Sequence, residues 1–264
     1  MSERAHVSID NAVATVRLSR PDKLNALDAD MFDSLIAAGK QIMADKSVRA
    51  VVLHGEGRAF SAGLDFMSFM GKPDVMQKLL ARDEESPANM AQRIAWIWQE
   101  VPVPVIAAVH GVAFGGGLQI ALGADIRYVA ADAELSVLEI KWGLIPDMSI
   151  TQTITRLVPL DVAKELTFTG RKVSGTEAVQ LGLATKVSDD PLADALETAK
   201  LIATKSPHAI RAGKALLNDC VNMSRADALK LETALQVGLL GSPNQMEAVQ
   251  ANVAKRTPDF KDPD

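Results

Sequence analysis

Cysteine is nearly absent: Cys220 stands alone in 264 residues. That excludes an intramolecular disulfide and a thiolate-rich metal site. Its place beside Leu216, Leu217 and Val221 in an apolar helical pattern makes it a packing residue. The four histidines, His6, His54, His110 and His208, are scattered and show no HExxH-like spacing, so no metal is expected. Aromatic residues make up only 4% of the chain, which leaves the core to Ala, Val, Ile, Leu and ten Met. A basic surplus is lacking too. Lys and Arg number 28 against 33 Asp and Glu, and a net charge of −5 argues against a nucleic-acid or anionic-membrane partner. There is no apolar run of membrane-spanning length: Val112–Ala124 is too short and is interrupted by Gln119. The first twenty residues carry charges throughout, with no apolar stretch of signal-peptide type. The expected location is the cytoplasm.

What is present reads as strands and crossover helices first, and helices afterwards. Val7, Ile9, Val13, Thr15 and Val16 alternate around Asp10-Asn11 as a hairpin would. Asp28 is placed to cap a helix bearing Met31, Phe32, Leu35, Ile36, Ile42 and Met43. Strands are expected at Ala50–His54, Val105–Val109, Asp125–Ala130 and Glu134–Val137, and helices at Ala88–Glu100 and Gly115–Leu122. The polar stretch Ser68–Asn89 reads as a mobile lid or insertion. From Thr151 onward the pattern is almost wholly helical, apart from Ala184–Val187, with Ser206, Ser224 and Ser242 as caps. The class is α/β, with residues 1–200 forming an α/β spiral core and 201–264 a helical region.

Two glycine-bearing stretches stand out, GRAFSAGLD at Gly57–Asp65 and HGVAFGGGLQIALGADI at His110–Ile126. Each follows a short apolar, β-branched run. Glycine admits close approach of the backbone to a ligand, and the first N–H groups of a helix lack an internal partner. Brought together, two such turns can aim two N–H groups at one developing negative oxygen. A phosphate loop is not indicated, because neither GK[ST] nor GxGxxG accompanies Gly115-Gly116-Gly117.

In order and spacing these stretches, with SRPDKLNAL at Ser19–Leu27, LEIKWGLIPD downstream and KRTPDF near the end, resemble the crotonase superfamily, the enoyl-CoA hydratase/isomerase family. The resemblance implies a crotonase-like ββα spiral core whose C-terminal helices form a homotrimer or hexamer. It implies a backbone oxyanion hole from the amides of Leu64 and Gly116, which would polarise an acyl-CoA thioester. It assigns coenzyme A, part of the substrate and not a resident cofactor, to Lys23, Leu24, Ala26, Ala62, Leu64, Asp65, Phe66, Gly115 and Gly116. Arg20 and Lys23 read equally well as a solvated turn. Family hydratases place a glutamate at each of two positions. Here the first is Gln119, and an amide takes no proton at neutral pH. The second is Glu139, and Asp147, eight residues on, falls where the family's dienoyl-CoA isomerases carry an acid. Catalysis is therefore expected from Glu139 and Asp147, with Gln119 beside them. Asp147 also reads as the N-cap of the following helix. The expected activity is double-bond isomerisation. The alternatives are hydration with Gln119 holding the water, and a binding protein without catalysis.

Overall fold

The computed structural model describes residues 3–71, 73–82 and 86–263. Strands β1 (Ala5–Asp10) and β2 (Val13–Leu18) form an antiparallel hairpin. Its turn is Asn11-Ala12, one residue later than the sequence pattern centred it. Both residues have positive φ (47° and 64°), the hand that matches strand twist. Asp28 caps α1 (Ala29–Ala44) by accepting the Met31 N–H at 2.9 Å, and the helix buries Met31, Phe32, Leu35 and Ile42. Next come β3 (Ala50–Gly55), the short α2 (Phe66–Phe69), α3 (Pro73–Leu80) and α4 (Met90–Glu100). Asn89 and Gln92 cap α4 reciprocally, each side chain accepting the other's backbone N–H at 2.8–2.9 Å.

The chain continues through β4 (Val105–Val109), β5 (Val112–Phe114), α5 (Gly116–Gly123), β6 (Ile126–Val129) and β7 (Glu134–Ser136). A single 3₁₀ turn at Glu139–Trp142 leads to α6 (Ile150–Leu157), α7 (Leu160–Thr169), β8 (Val173–Ser174), α8 (Gly175–Leu181) and β9 (Lys186–Val187). Four helices finish it: α9 (Pro191–Ala203), α10 (Pro207–Asp219), α11 (Arg225–Leu239) and α12 (Pro243–Ala254).

One sheet has the order β1-β2-β3-β4-β6-β9, parallel except for the first pair, and a second has the order β5-β7-β8. The chain steps from the first sheet to the second after β4 and again after β6, which makes the core a spiral. All five residues of β4 are buried, as a parallel strand covered on both faces requires. The main core joins α1, α4 and α5 to one face, and Ala195 and Ala199 of α9 close the other over Val52, Ile106 and Ala108. Strands β5 and β8 were not expected. They span three and two residues, too few for alternation to show.

Within the stretch expected as a lid, Ser68–Asn89, residues 72 and 83–85 lie outside the described residues. Of the rest, α2 and α3 are helical and turn Phe69 and Leu79 into the core, while residues 81–82 and 86–89 form no helix. At the far end Lys214 fastens α10 to the core. Its buried ammonium donates to Trp98 O at 2.8 Å, Val103 O at 3.0 Å and the Asp125 carboxylate at 2.7 Å. By contrast α11 buries none of its residues. No helix among the described residues is long and apolar enough to cross a membrane.

Candidate active site

The first glycine turn is shaped by backbone crowding. Gly63 has φ +83°, and a Cβ there would stand 2.5 Å from Phe114 O, so no other residue fits without a shift. On either side of Leu64, the Gly63 carbonyl accepts Leu27 N–H at 2.8 Å and Asp65 N–H donates to Leu27 O at 3.0 Å. The Leu64 amide between them donates to nothing among the described residues. In the second turn Gly115 (φ +50°) spends its own N–H on Ser136 O at 2.9 Å. Gly116 opens α5, where the helix offers its amide no acceptor. Gly116 N is 3.5 Å from the point where a Gly63 Cβ would lie, so the two turns touch. Two unspent N–H groups therefore border one space.

That space is a cavity of about 320 Å³, lined by Ala62, Gly63, Leu64, Gly115 and Gly116 on one side. Phe32, Met76, Leu79 and Leu80 wall it from α1 and α3, and Phe66 meets Trp142 with ring centroids 4.5 Å apart. Among the residues lining it, only Glu139 and Asp147 titrate.

The approach to the cavity is welded from two distant segments. Leu24, in the left-handed region at φ 51°, accepts Ala62 N–H at 2.9 Å. Arg20 is not part of a solvated turn. Its side chain, 11% exposed, pairs with Asp65 at 2.8 Å and Asp28 at 3.4 Å and donates to Ala26 O at 3.0 Å. Burial raises the Asp65 carboxyl, but the bonds from Arg20 and the Ser68 N–H outweigh it and hold the group below its ordinary value. Lys23 is exposed at the edge of the same surface.

Glu139 sits in the 3₁₀ turn after β7, on the cavity wall beside Gly115, its Oε1 3.1 Å from where a Gly115 Cβ would lie. Its Oε1 accepts a 2.6 Å bond from Gln119 Nε2. Its Oε2 is buried and has no hydrogen-bond partner among the described residues. Burial is the main reason its carboxyl lies above the ordinary range; its own backbone N–H, the Gln119 amide and the Leu138 N–H oppose the rise, and the nearby Asp147 charge adds to it. Asp147 stands at the rim, open to water on one side, and partial burial raises its carboxyl as well. It does not cap α6: Ser149 occupies that position, in a left-handed conformation at φ 68°. Among the described residues no three His, Cys, Asp or Glu side chains gather as a metal site would need.

A family model for enoyl-CoA hydratase/isomerase matches residues 8–263. The chain belongs to the enoyl-CoA hydratase/isomerase family. A Bacillus subtilis relative named "Probable enoyl-CoA hydratase" is 36% identical over 97% of this chain and 97% of its own length. The mitochondrial Delta(3,5)-Delta(2,4)-dienoyl-CoA isomerase of Rattus norvegicus is 31% identical, over 94% of this chain and 79% of that protein. The crystal structure of an enoyl-CoA hydratase from Bacillus anthracis superposes with a TM-score of 0.90 at 30% identity, covering 98% of this chain and 99% of the other.

In this hydratase/isomerase family member, Leu64, Gly115, Gly116, Glu139 and Asp147 come together around one cavity, with Ala62 and Phe66 in its wall. Gln119 does not line it; the side chain lies behind Glu139 and is 1% exposed. Lys23, Leu24, Ala26 and Asp65 border the approach and do not line the cavity. Sequence reasoning missed Met148, whose thioether packs on Gly116, and the Phe66–Trp142 pair. No local pattern marks either contact, since each joins elements far apart in the chain.

Proposed function

We propose that this family member shifts double bonds in enoyl- and dienoyl-CoA thioesters. The observation that carries the reading is the gathering of the two unspent amides and only two titratable groups, Glu139 and Asp147, around one apolar cavity. The thioester oxygen would sit between the Leu64 and Gly116 amides. Ionised Glu139 would take a proton from C2, and the electron pair would spread toward the thioester oxygen as a dienolate. Return of that proton at C4 completes a 3-enoyl to 2-enoyl shift. In a 3,5-dienoyl substrate a protonated Asp147 would give its own proton to C6 while Glu139 keeps the one from C2, and the two carboxyls would then exchange the proton through water to reset. Each oxyanion donor contributes about 2.7–4 kcal/mol to such a step. Coenzyme A would enter as part of the substrate, along Lys23–Ala26 and Ala62–Phe66, and no resident cofactor takes part.

Hydration by two carboxylates is disfavoured because Gln119 stands where the second acid would be, with its amide already bonded at both ends. The test is an NMR product assay over 2-, 3- and 3,5-unsaturated acyl-CoAs. Wild type is expected to move double bonds faster than it adds water to a 2-enoyl-CoA, and Asp147→Asn to impair diene isomerisation selectively. Brisk hydration of crotonyl-CoA, with Asp147→Asn silent throughout, would hand the assignment to a hydratase.

The proposal includes a homotrimer or hexamer. Helix α11 leaves Leu229 and Val237 exposed, and Leu217, Leu240, Val249 and Val253 extend the apolar surface. Surfaces of this kind mark interfaces. Light scattering at micromolar concentration is expected to report three or six copies; a monomer would refute it.

A further inference from the structure

We propose that Gln119 is a positioning residue: it divides the two oxygens of Glu139 between separate tasks and fixes the peptide that carries Asp147. The assignment rests on the reading of Glu139 as the base.

The geometry is a bridge. Gln119 Nε2 donates to Glu139 Oε1 at 2.6 Å, and Gln119 Oε1 accepts Met148 N–H at 2.8 Å. An amide offers a donor and an acceptor from one planar group at any physiological pH, where a glutamate would do so only when protonated. Its orientation follows from its neighbours, because a backbone N–H needs an acceptor and a carboxylate needs a donor. The Met148 N–H belongs to the peptide bond that joins Asp147 to Met148. The bridge therefore ends two bonds from the Asp147 Cα. Met148 also lies over the oxyanion glycine, its Sδ 2.7 Å from where a Gly116 Cβ would be. Ser149 is pinned in turn by its hydroxyl, which donates to Gln92 O at 3.0 Å. One buried side chain on the first turn of α5 thus links base, rim acid and oxyanion donor.

The consequence for Glu139 is an asymmetric carboxylate. Oε1 is held by Gln119, and Oε2, buried and unpartnered, is the atom left to take and return protons. Without the bridge the carboxylate plane is free to turn about its last side-chain bond, and its lone pairs lose their fixed aim. The groups around Glu139 are few. Asp147 is the charged neighbour on its own segment, Lys141 of the same turn lies over the Trp142 ring, and α5 carries no charge. On α7, Asp161, Lys164 and Glu165 are exposed, with Glu165 paired to Arg171.

The experiment follows the Glu139 carboxyl by NMR in protein labelled with ¹³C at glutamate side-chain carboxyls, its signal assigned by its loss in Glu139→Gln. Wild type, Gln119→Leu and Gln119→Glu are titrated, and kcat and KM are measured on the acyl-CoA panel. Gln119→Leu removes the donor and is expected to move the Glu139 midpoint to higher pH. The same variant should lower kcat about tenfold or more with KM little changed, because misplacement by even a small distance is costly. Gln119→Glu keeps the shape and the acceptor for Met148, so it guards against a folding failure. It sets a second carboxylate against Oε1 and should also raise the midpoint. A midpoint equal to wild type in both folded variants, even with lower kcat, would reduce Gln119 to packing and overturn the proposal. A midpoint that moves while no thioester in the panel is turned over would uphold the bridge and remove the isomerase reading instead.

Discussion

Glu139→Gln is expected to lower turnover of every enoyl- and dienoyl-CoA by about 10²–10⁴-fold, the usual worth of a positioned acid/base. The substitution is nearly isosteric, and its amide oxygen can still accept from Gln119 Nε2, so the fold and the bridge survive. Thioester affinity, measured by calorimetry with acetyl-CoA, should stay close to wild type. Turnover within tenfold of wild type would remove Glu139 from the chemistry. The pH profile carries the same assignment. The base must be ionised, and burial together with the Asp147 charge puts its carboxyl above the ordinary range in spite of the Gln119 donor. Wild-type kcat/KM should fall as pH drops through that raised midpoint, while free glutamate would still be ionised there.

Leu64→Pro is the second large effect, expected at a hundredfold or more in kcat. Proline deletes the one amide hydrogen that the 61–65 turn leaves unspent, and its ring would project into the space meant for the thioester oxygen. Leu64→Ala keeps the amide and should retain most turnover, since the side chain acts only through packing. Circular dichroism and a thermal melt of both variants separate a lost donor from a collapsed turn. Equal activity in two folded proteins would take Leu64 out of the oxyanion hole.

Much of this site was legible in the chain itself, because its donors are main-chain groups and the glycines that expose them leave a visible mark. The glycine turns were readable for the close backbone approach they permit, and Asp28, Ser206, Ser224 and Ser242 as caps, since each acts on the residue three along. What could not be read was what neighbours across the fold do to a side chain. Arg20 looked like a surface cation and is in fact held between Asp28 and Asp65. Gln119 looked like a group facing substrate, and the structure turns it away from the cavity and onto Glu139 and Met148. Asp147 had the look of a helix cap, but the helix starts later, after Ser149. The strands β5 and β8 escaped for a different reason: short ladders are defined by their partners and not by their own pattern.

The weld between Leu24, Leu27 and the 61–65 turn bears on how the protein comes to be active. The Leu64 amide owes its aim to residues some forty positions upstream and to Phe114, some fifty downstream. Pairings of such sequence separation close late, after the loop entropy of the intervening chain has been overcome. Helices α1 and α4 can form while the donor still points nowhere useful. Regain of turnover after dilution from denaturant would then trail regain of helical signal, and the catalytic assay would serve as a clock for final closure of the spiral.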